Sequence, residues 1–248
     1  MTELTFSKQT ISSQRTIVVT GASSGIGRET VGQLLDAGHK VIGMARDFTK
    51  NSIQSDDFQS ITLDFADIEA CEANLKRLSK NLTGITDLVC CAGVGRFGSL
   101  EEFSFAQIKA LMEVNFISQA YVVRAFVPQL KQHGRGSIIF VGSEAALTGS
   151  RRGSVYCASK FAMRGFAQAL REECGGNGIR VGIVNPGMVK TPFFEGLDFA
   201  PGDRAENYVE AADVASAIVW MLNSRAETVI DEINLSPLKK VIVKKPIK

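Results

Sequence analysis

The chain has 248 residues and is 45% hydrophobic, which is enough for the core of one large domain or two small ones. Its 28 basic and 26 acidic residues nearly cancel to a formal net charge of +2, so the charge balance does not indicate a nucleic-acid partner. Five cysteines without a CxxC spacing, together with only two histidines, argue against a metal site and favour free thiols in a reducing compartment.

Targeting signals are not evident either. The first residues are polar and lack a basic-then-apolar signal pattern. No apolar run approaches the roughly 18 residues that a membrane span requires. We therefore expect a cytoplasmic protein without a membrane-spanning segment.

Short apolar segments alternate with helical patterns along the chain. In chain order the sequence predicts a strand at 16–20, a helix at 25–37, strands at 40–45 and 60–65, a helix at 67–80, a strand at 87–93, a helical region at 104–132, a strand at 136–143, a helix that carries Tyr156 and Lys160, a strand at 179–187, a helix at 211–223 and a strand at 228–235. The strands are continuously apolar, which is typical of a parallel sheet buried on both faces.

This alternation predicts a single-domain α/β fold, a doubly wound (Rossmann-like) parallel sheet of about seven strands with right-handed crossovers. We assign residues 15–238 to the domain, 1–14 to a polar N-terminal tail and 239–248 to a basic C-terminal tail. The C-terminal charge run is interpreted as a solvated tail, with an anionic partner as the alternative. Ligands of such folds bind beyond the carboxyl ends of the strands.

The first predicted strand ends in the glycine-rich segment TGASSGIG. Gly21, Gly25 and Gly27 would permit a tight turn and a close approach of the backbone to a ligand. The helix that begins near Gly25 offers free N–H groups to a pyrophosphate, and Ser23 and Ser24 add hydroxyl donors. The same pattern also fits a tight strand–helix connection without a ligand.

The second predicted strand ends at the place where an acidic residue would hold the adenosine ribose of NAD(H). Here Ala45 and Arg46 occupy that place, and arginine pairs well with phosphate, which favours NADP(H) over NAD(H). Asp47 is the competing candidate. Asp64 and Phe65, after the third strand, are candidates for adenine contacts, with helix capping and core packing as their alternative roles.

Tyr156 and Lys160 are four residues apart on a predicted helix and so share one face. The reference pKa of tyrosine is about 10, too high for proton transfer near neutral pH. A cation at roughly 4 Å, at an effective dielectric constant near 20, favours the phenolate by about 4 kcal/mol before solvent screening. On spacing alone, a packed tyrosine beside an exposed lysine is the simpler interpretation.

The motifs taken together resemble the short-chain dehydrogenase/reductase family across nearly the whole chain. They are TGASSGIG, CAG at 91–93, Asn115, Ser143, Tyr156-x-x-x-Lys160 and NPGMVKT at 185–191, in that order and at the predicted strand ends. Each motif alone is modest, but the ordered set is specific.

The resemblance implies four catalytic residues. Tyr156 is expected to protonate a carbonyl oxygen in reduction, or to act as the base in oxidation. Lys160 is expected to lower the pKa of Tyr156 and to hold the nicotinamide ribose. Ser143 would hydrogen-bond the substrate oxygen, and Asn115 would support a water-linked proton relay from Lys160. The alternative roles are a strand-end cap for Ser143 and a turn or helix bend for Asn115.

The resemblance also implies a set of cofactor contacts, with Thr191 and the backbone of Val189 at the nicotinamide carboxamide. The expected cofactor-binding residues are Gly21, Ser23, Ser24, Gly25, Ile26, Gly27, Arg46, Asp64, Phe65, Cys91, Ala92, Gly93, Tyr156, Lys160, Pro186, Gly187, Val189 and Thr191. The family usually has Asn-Asn where this chain has Cys90-Cys91, which puts the local rigidity in doubt. A redox role for this pair is not expected, because both cysteines should be buried in a strand.

The function implied is an NADP(H)-dependent interconversion of a ketone or aldehyde and an alcohol. Two alternatives are an enoyl (C=C) reductase, which usually spaces tyrosine and lysine more widely, and an NADP(H)-binding regulator without turnover. The expected partners are a small-molecule carbonyl or alcohol and a second copy of the chain, in a homodimer or homotetramer.

The substrate itself is not identified by the sequence. Segment 190–213 would cover the active site as a lid, and its Phe193, Phe194 and Phe199 suggest either an apolar wall or ordinary packing. Arg151 and Arg152 would meet an anionic substrate or form an exposed basic turn.

Overall fold

A parallel sheet of seven strands lies at the centre of the protein in the computed structural model, which describes residues 14–49 and 52–245. The strands of the described residues are β1 (Thr16–Thr20), β2 (Lys40–Ala45), β3 (Phe58–Thr62), β4 (Asp87–Cys90), β5 (Gly136–Val141), β6 (Ile179–Pro186), β7 (Phe199–Pro201), β8 (Glu232–Leu235) and β9 (Ile242–Lys244). The large sheet has the order β3-β2-β1-β4-β5-β6-β8, and β7 and β9 form a separate antiparallel pair.

Helices cover both faces of the sheet. The α-helices are α1 (Gly25–Asp36), α2 (Ile68–Asn81), α3 (Phe105–Met112), α4 (Ser118–His133), α5 (Ser154–Gly175) and α6 (Ala211–Asn223). Side chains alternate between the faces along a strand, so Val18 packs in the core shared with α2, α4 and α5, whereas Ile17 and Val19 pack in the core shared with α1 and α6. The predicted single-domain, doubly wound α/β fold is confirmed.

The strand order reverses between β1 and β4, which lie side by side in the middle of the sheet. Crossovers from this point run in opposite directions and leave a crevice at the carboxyl ends of the two strands. The glycine-rich turn after β1 and the residues after β4 therefore meet at the same place.

The helical region expected at 104–132 is divided. α3 and α4 are joined by one turn of π-helix, Glu113–Ile117, in which the Ser118 N–H bonds to the Glu113 carbonyl. Such insertions widen a helix locally and are frequent at functional sites. Asn115 lies inside this turn and is fully buried.

Several strand boundaries also differ from the prediction: β4 and β5 end at Cys90 and Val141, earlier than expected, and β3 and β8 differ more. β3 begins and ends earlier than the predicted 60–65, because its ladder with β2 runs from Phe58 to Thr62. The strand expected at 228–235 pairs with β6 only over Glu232–Leu235. Beyond these limits Leu63 and Phe65 are buried in the core, whereas Val229 is exposed.

The C-terminal segment is not the solvated tail that we expected. β9 pairs with β7 of the lid segment, and the Lys245 N–H bonds to the Asp198 carbonyl over 2.7 Å. Lys239 and Lys240 form ion pairs with Glu206 and Glu144 at 3.0 and 2.6 Å. Most of the N-terminal tail (1–13) and residues 246–248 lie outside the described residues.

Across the described ranges, no helix has both the length and the apolar character needed to cross a membrane. The same residues contain no group of three or more His, Cys, Asp or Glu side chains placed to hold a metal ion.

Candidate active site

Tyr156 and Lys160 lie on the first turns of α5, which begins at Ser154 near the carboxyl end of β5. Each is only 6% exposed, so both polar groups lie inside the protein. The Lys160 Nζ is 6.0 Å from the centroid of the Tyr156 ring and donates a hydrogen bond of 3.1 Å to the Val141 carbonyl. The expected pair therefore shares one helix face, with the ammonium anchored to the end of β5.

Ser143 follows β5 and faces the same helix. Its hydroxyl lies near the Tyr156 phenol and acts to lower the pKa of that group. Its Oγ also accepts a hydrogen bond of 3.1 Å from the Ala145 N–H at the start of a short 3₁₀ turn. The strand-end cap and the contact with Tyr156 are thus two simultaneous roles of one hydroxyl.

Burial decides the ionisation of the pair. Desolvation raises the pKa of Tyr156 to about 12, and the nearby Ser143 hydroxyl opposes it only in part. Desolvation likewise lowers the pKa of Lys160 to about 8. The net pKa of Tyr156 is thus raised and not lowered in this arrangement, because burial is the largest effect and the Lys160 ammonium donates to the Val141 carbonyl.

Asn115 holds the loop that follows β4. Its Oδ1 accepts from the Val94 N–H at 2.8 Å, and its Nδ2 donates to the Val94 carbonyl at 3.0 Å and to the Ser159 Oγ at 3.1 Å. A Cβ built on Gly93 would lie 3.3 Å from the Asn115 Oδ1 and 3.6 Å from the Lys160 Nζ. The structure thus brings Asn115 and Lys160 to the same side of Gly93.

The glycine-rich turn after β1 needs glycine for two physical reasons. Gly21 has a φ of +67°, and a Cβ on it would lie 3.0 Å from Ala92 of the neighbouring loop. A Cβ on Gly27 would lie 2.3 Å from the Gly21 carbonyl oxygen, so only glycine lets α1 start this close to β1.

A cavity of about 200 Å³ opens above this turn. Its lining includes the predicted residues Gly21, Ser23, Ser24, Arg46, Asp64, Phe65, Ala92 and Gly93, and also Ala45, Asp47, Ala66, Val94 and Val114. These residues come from the ends of four adjacent strands. The residues present fit a nucleotide, since glycines at the closest approaches leave the backbone accessible.

Arg46 is exposed at the edge of this cavity, directly after β2. The carboxylate of Asp47 is bonded within its own loop, where it accepts from the Thr49 N–H at 2.7 Å and from the Thr49 Oγ1 at 3.0 Å. The Asp64 carboxylate accepts from the Ala66 N–H at 2.9 Å, and Phe65 is buried in the core. Asp64 thus forms a turn and does not cap the following helix, a role that Asp67 fills, whereas Phe65 has its alternative role in core packing.

The residues expected to bind the cofactor at the end of β6 differ in whether they lie close to the glycine-rich turn. Thr191 lies across the cleft from the glycine turn, since a Cβ on Gly25 would be 3.3 Å from its side chain. Pro186 and Gly187 continue the pairing of β6 with β8, and Val189 is buried. Ile26, which packs against the core of α1 and α6, is likewise not among the cavity-lining residues.

The sequence reasoning missed the group that holds Cys91. The Thr20 Oγ1 accepts hydrogen bonds of 3.0 Å from both the Cys91 and the Ala92 N–H, and it donates at 2.7 Å to the Oε1 of buried Gln119. Burial raises the pKa of the Cys91 thiol to about 12. The loop is therefore held without the usual asparagine, and Thr20 as the last residue of β1 was the available signal.

A second missed residue is Asn185, which stands in the NPG motif without an assigned role. Its Oδ1 accepts from the Ser143 N–H at 3.3 Å, and its Nδ2 donates to Glu232 and Asn234 of β8 at 2.8 and 3.0 Å. The available signal was a polar residue within the apolar segment 179–187, and the structure shows that its side chain is 1% exposed. Its partners on β8 could not be known before the strand order.

On the substrate side, Arg152 joins three loops. Its guanidinium pairs with Asp198 of the lid at 3.0 Å and with Glu102 at 3.7 Å, while its carbonyl accepts from the Gly98 N–H at 2.8 Å. It also has a φ of +61°, which is uncommon for a residue with a side chain. Of the two expected roles, an exposed basic turn describes Arg152 better than a free anion receptor.

The comparison with known proteins bears on this arrangement of residues. Residues 15–200 match the model of a protein family described as short chain dehydrogenase. The chain belongs to the short-chain dehydrogenase family. The match includes all four expected catalytic positions, the glycine-rich turn and the end of β6.

Relatives within the short-chain dehydrogenases extend the similarity beyond this range. The chain is 34% identical over 217 residues to a 1-deoxy-11-beta-hydroxypentalenate dehydrogenase from Streptomyces exfoliatus, covering 83% of this chain and 78% of that one. It is 28% identical over 229 residues to an uncharacterised oxidoreductase from Staphylococcus epidermidis, covering 91% and 98%.

Solved structures of other dehydrogenases are also similar to this chain. A serine dehydrogenase in a closed form complexed with NADP⁺ is 28% identical, with a TM-score of 0.78 and coverage of 89% of this chain and 94% of that one. The serine dehydrogenase from Escherichia coli is 26% identical, with a TM-score of 0.75 and coverage of 89% and 96%. The protein is thus an oxidoreductase by family, while its expected homo-oligomeric state and cytoplasmic location stay predictions.

Proposed function

We propose that this short-chain dehydrogenase is an NADP(H)-dependent enzyme that interconverts a ketone or aldehyde and an alcohol. The observation that carries the proposal is the grouping of Ser143 and Tyr156, with Lys160 one helical turn away. This group stands beside the loop after β4, whose other side lines the cavity of about 200 Å³ above the glycine-rich turn.

Each residue has a defined task in this proposal. Ser143 and Tyr156 donate hydrogen bonds to the carbonyl oxygen, where negative charge develops during reduction. Tyr156 then delivers its proton to that oxygen, and in the opposite direction it removes the hydroxyl proton. Lys160 stabilises the phenolate that results, and Asn115 keeps the β4 loop in place beside it. The nicotinamide cofactor supplies or accepts the hydride when bound.

Replacing Tyr156 with phenylalanine tests this assignment. We expect turnover with a panel of ketones and aldehydes to fall by about 10²-fold or more, since proton transfer by a positioned group contributes on this scale. Turnover is followed by NADPH absorbance, and NADPH binding is measured separately by nicotinamide fluorescence. Retained binding with lost turnover supports the enzyme, whereas unchanged turnover contradicts the role of Tyr156. If the wild-type protein binds NADPH but reduces neither carbonyl nor C=C compounds, the result favours the alternative of an NADP(H)-binding regulator without turnover.

The preference for NADP(H) is supported by Arg46 at the cavity edge and by Asp47, whose carboxylate is bonded to Thr49. The similar serine dehydrogenase forms a complex with NADP⁺, which supports the same cofactor preference. A guanidinium pairs well with a 2′-phosphate, whereas a carboxylate in its place repels it.

The change Arg46→Asp should therefore weaken NADPH binding about tenfold or more and strengthen NADH binding, because a charge-assisted hydrogen bond contributes about 1.5–3 kcal/mol. Dissociation constants for both cofactors are measured by fluorescence titration. Arg151→Asp makes the same charge change at an exposed position outside the cavity lining and serves as the control. An unchanged ratio of the two constants in Arg46→Asp would defeat the NADP(H) assignment.

A further inference from the structure

Five aromatic side chains form a closed circle of contacts on the substrate side of the active site. Between ring centroids, Tyr156 lies 4.8 Å from Phe97 and 6.1 Å from Phe193. Phe97 lies 5.0 Å from Phe199. Phe194 closes the circle, at 5.8 Å from Phe199 and 5.2 Å from Phe193. We call this group the aromatic cluster. It joins α5, the loop after β4 and the lid.

The position of the lid ring Phe193 depends on the loop after β4. A Cβ on Gly95 would lie 2.4 Å from the Phe193 Cζ, so the ring rests directly on the backbone there. The β7–β9 pairing and the Arg152–Asp198 ion pair hold the same lid segment from two further sides. The aromatic cluster is thus a supported surface and not an accidental contact of mobile side chains.

Further apolar side chains surround the Tyr156 ring away from Ser143 and Lys160. Leu111 and Val155 form a buried cluster with it, against which Phe103 and Ile108 pack. A compound whose carbonyl reaches the Tyr156 hydroxyl therefore lies against carbon surfaces for most of its own contour. Such surfaces favour apolar groups through the hydrophobic effect.

Several of the charged side chains near the aromatic cluster are already paired with one another. Arg152 is bound to Asp198 and Glu102, and Glu144, the residue after Ser143, is bound to Lys240 at 2.6 Å. A carboxylate on the substrate would have to break one of these pairs or remain without a partner beside the rings. Burying an unpaired charge is strongly unfavourable, so the site discriminates against anions.

We propose that the substrate is a neutral, apolar carbonyl compound with a ring next to the carbonyl carbon, and that Phe97 determines this specificity. The inference rests on the proposed carbonyl–alcohol function. Phe97 is the member of the cluster that contacts both Tyr156 and the lid ring of Phe199. A planar ring placed against it keeps the offset and edge-to-face contacts that aromatic rings prefer.

Three ketones test the ligand class. Acetophenone is neutral and carries a ring, 4-acetylbenzoate adds a carboxylate to the same ring, and 2-octanone has the same number of carbons as acetophenone without a ring. Binding of each ketone to the protein–NADP⁺ complex is measured by calorimetric titration, since no reduction occurs with the oxidised cofactor. Reduction of each is then followed with NADPH. We expect acetophenone to bind at least tenfold more tightly than 4-acetylbenzoate and more tightly than 2-octanone.

Variants of Phe97 test the residue. Phe97→Ala should weaken acetophenone binding about tenfold and leave the NADPH dissociation constant unchanged, and Phe97→Leu should have a smaller effect in the same direction. The control is Phe105→Ala, which removes a phenylalanine that is 93% exposed and lies outside the cluster. Circular dichroism checks that each variant is folded. If the alanine variant does not fold, the leucine variant decides the role of Phe97.

The outcomes separate this inference from the proposed function. Equal or tighter binding of 4-acetylbenzoate or 2-octanone, absence of binding by all three, or unchanged acetophenone binding in a folded Phe97 variant would overturn the inference. Acetophenone binding as expected, without NADPH consumption for any carbonyl compound, would leave the apolar ring site standing and overturn the proposed reaction instead.

Discussion

Ser143 is held in place by a residue of another strand. Its backbone N–H donates to Asn185, whose amide is in turn fixed by Glu232 and Asn234, and Glu232 is paired with Arg164 of α5 at 3.0 Å. Gly142 permits this approach, because a Cβ there would lie 2.1 Å from the Asn185 Oδ1. Asn185 is thus a positioning residue that ties the end of β5 to β8.

The change Asn185→Ala is expected to lower kcat about tenfold or more and to change the NADPH dissociation constant little. The reason is geometric, since small displacements of a reacting group away from its productive position cost rate steeply. Steady-state kinetics with a reducible ketone measure kcat. A fluorescence titration with NADPH measures the dissociation constant.

Asn234→Ala is the matched control for this change. It removes one partner of the Asn185 amide and leaves the bond from Ser143 to the Asn185 Oδ1. A loss of kcat in Asn234→Ala equal to that in Asn185→Ala would contradict a specific role of Asn185 in positioning Ser143.

At the scale of elements, the C-terminal end of α6 is fixed by arginine side chains from the sheet. Arg180 of β6 donates to the carbonyls of Leu222 and Ser224 at 2.8 and 2.7 Å and to the Ser137 Oγ of β5 at 2.8 Å. Arg15 donates to the same Leu222 carbonyl at 2.7 Å. These cations satisfy carbonyls that the helix end leaves without partners, and they face the negative end of its dipole.

Arg180→Met should therefore lower the free energy of unfolding by about 2–4 kcal/mol, since several charge-assisted hydrogen bonds are lost together. Urea denaturation followed by circular dichroism measures the change. Arg225→Met is the control, because Arg225 is exposed and its ion pair with Glu227 at 3.5 Å is worth at most about 1 kcal/mol. Equal losses in the two variants would show that Arg180 does not fix the helix end.

At the scale of the whole molecule, a second buried polar group lies at the amino ends of the strands, opposite the candidate active site. His39 is 3% exposed, its Nδ1 accepts from the Arg15 N–H at 3.5 Å, and Arg15 approaches buried Asp87 at 3.8 Å. Desolvation lowers the pKa of His39, Arg15 lowers it further, and Asp87 opposes the change. His39 is therefore neutral in the folded protein over a range in which it is protonated in the unfolded chain.

A histidine whose pKa is lower in the folded protein adds stability that is present above its unfolded pKa of about 6.5 and is lost as the pH falls. We expect the free energy of unfolding to fall between pH 7 and pH 5.5. His39→Gln should flatten this dependence, whereas the same change at exposed His133 should not. Urea titrations at several pH values measure it, and equal slopes in His39→Gln and the wild type would contradict the role of His39.

Much of the fold was predictable because it depends on local sequence. Continuous apolar strands such as β1, β5 and β6 lie near their expected positions, since each is buried on both faces of the sheet. The glycine turn was predictable for a similar reason, because Gly21 and Gly27 are required by the backbone itself. Tyr156 and Lys160 share a face through helical periodicity alone.

Other properties needed the positions of residues distant in sequence. Whether Lys160 lowers the pKa of Tyr156 depends on burial and on the Val141 carbonyl, and neither follows from the i, i+4 spacing. The support of Cys91 by Thr20 joins two strands that are adjacent only in the sheet. The strand β9 is short, exposed and set in a lysine-rich segment, so its sequence resembles a tail until β7 is beside it.

The sequence by itself thus determined the family and the sheet, because each depends on the identity and spacing of nearby residues, and it predicted the four catalytic positions. Only the tertiary structure decided how those groups are ionised, what positions Ser143, and that the lid encloses Tyr156 with aromatic rings. These properties arise from desolvation and from contacts across strands and loops, which depend on three-dimensional proximity and not on distance along the chain.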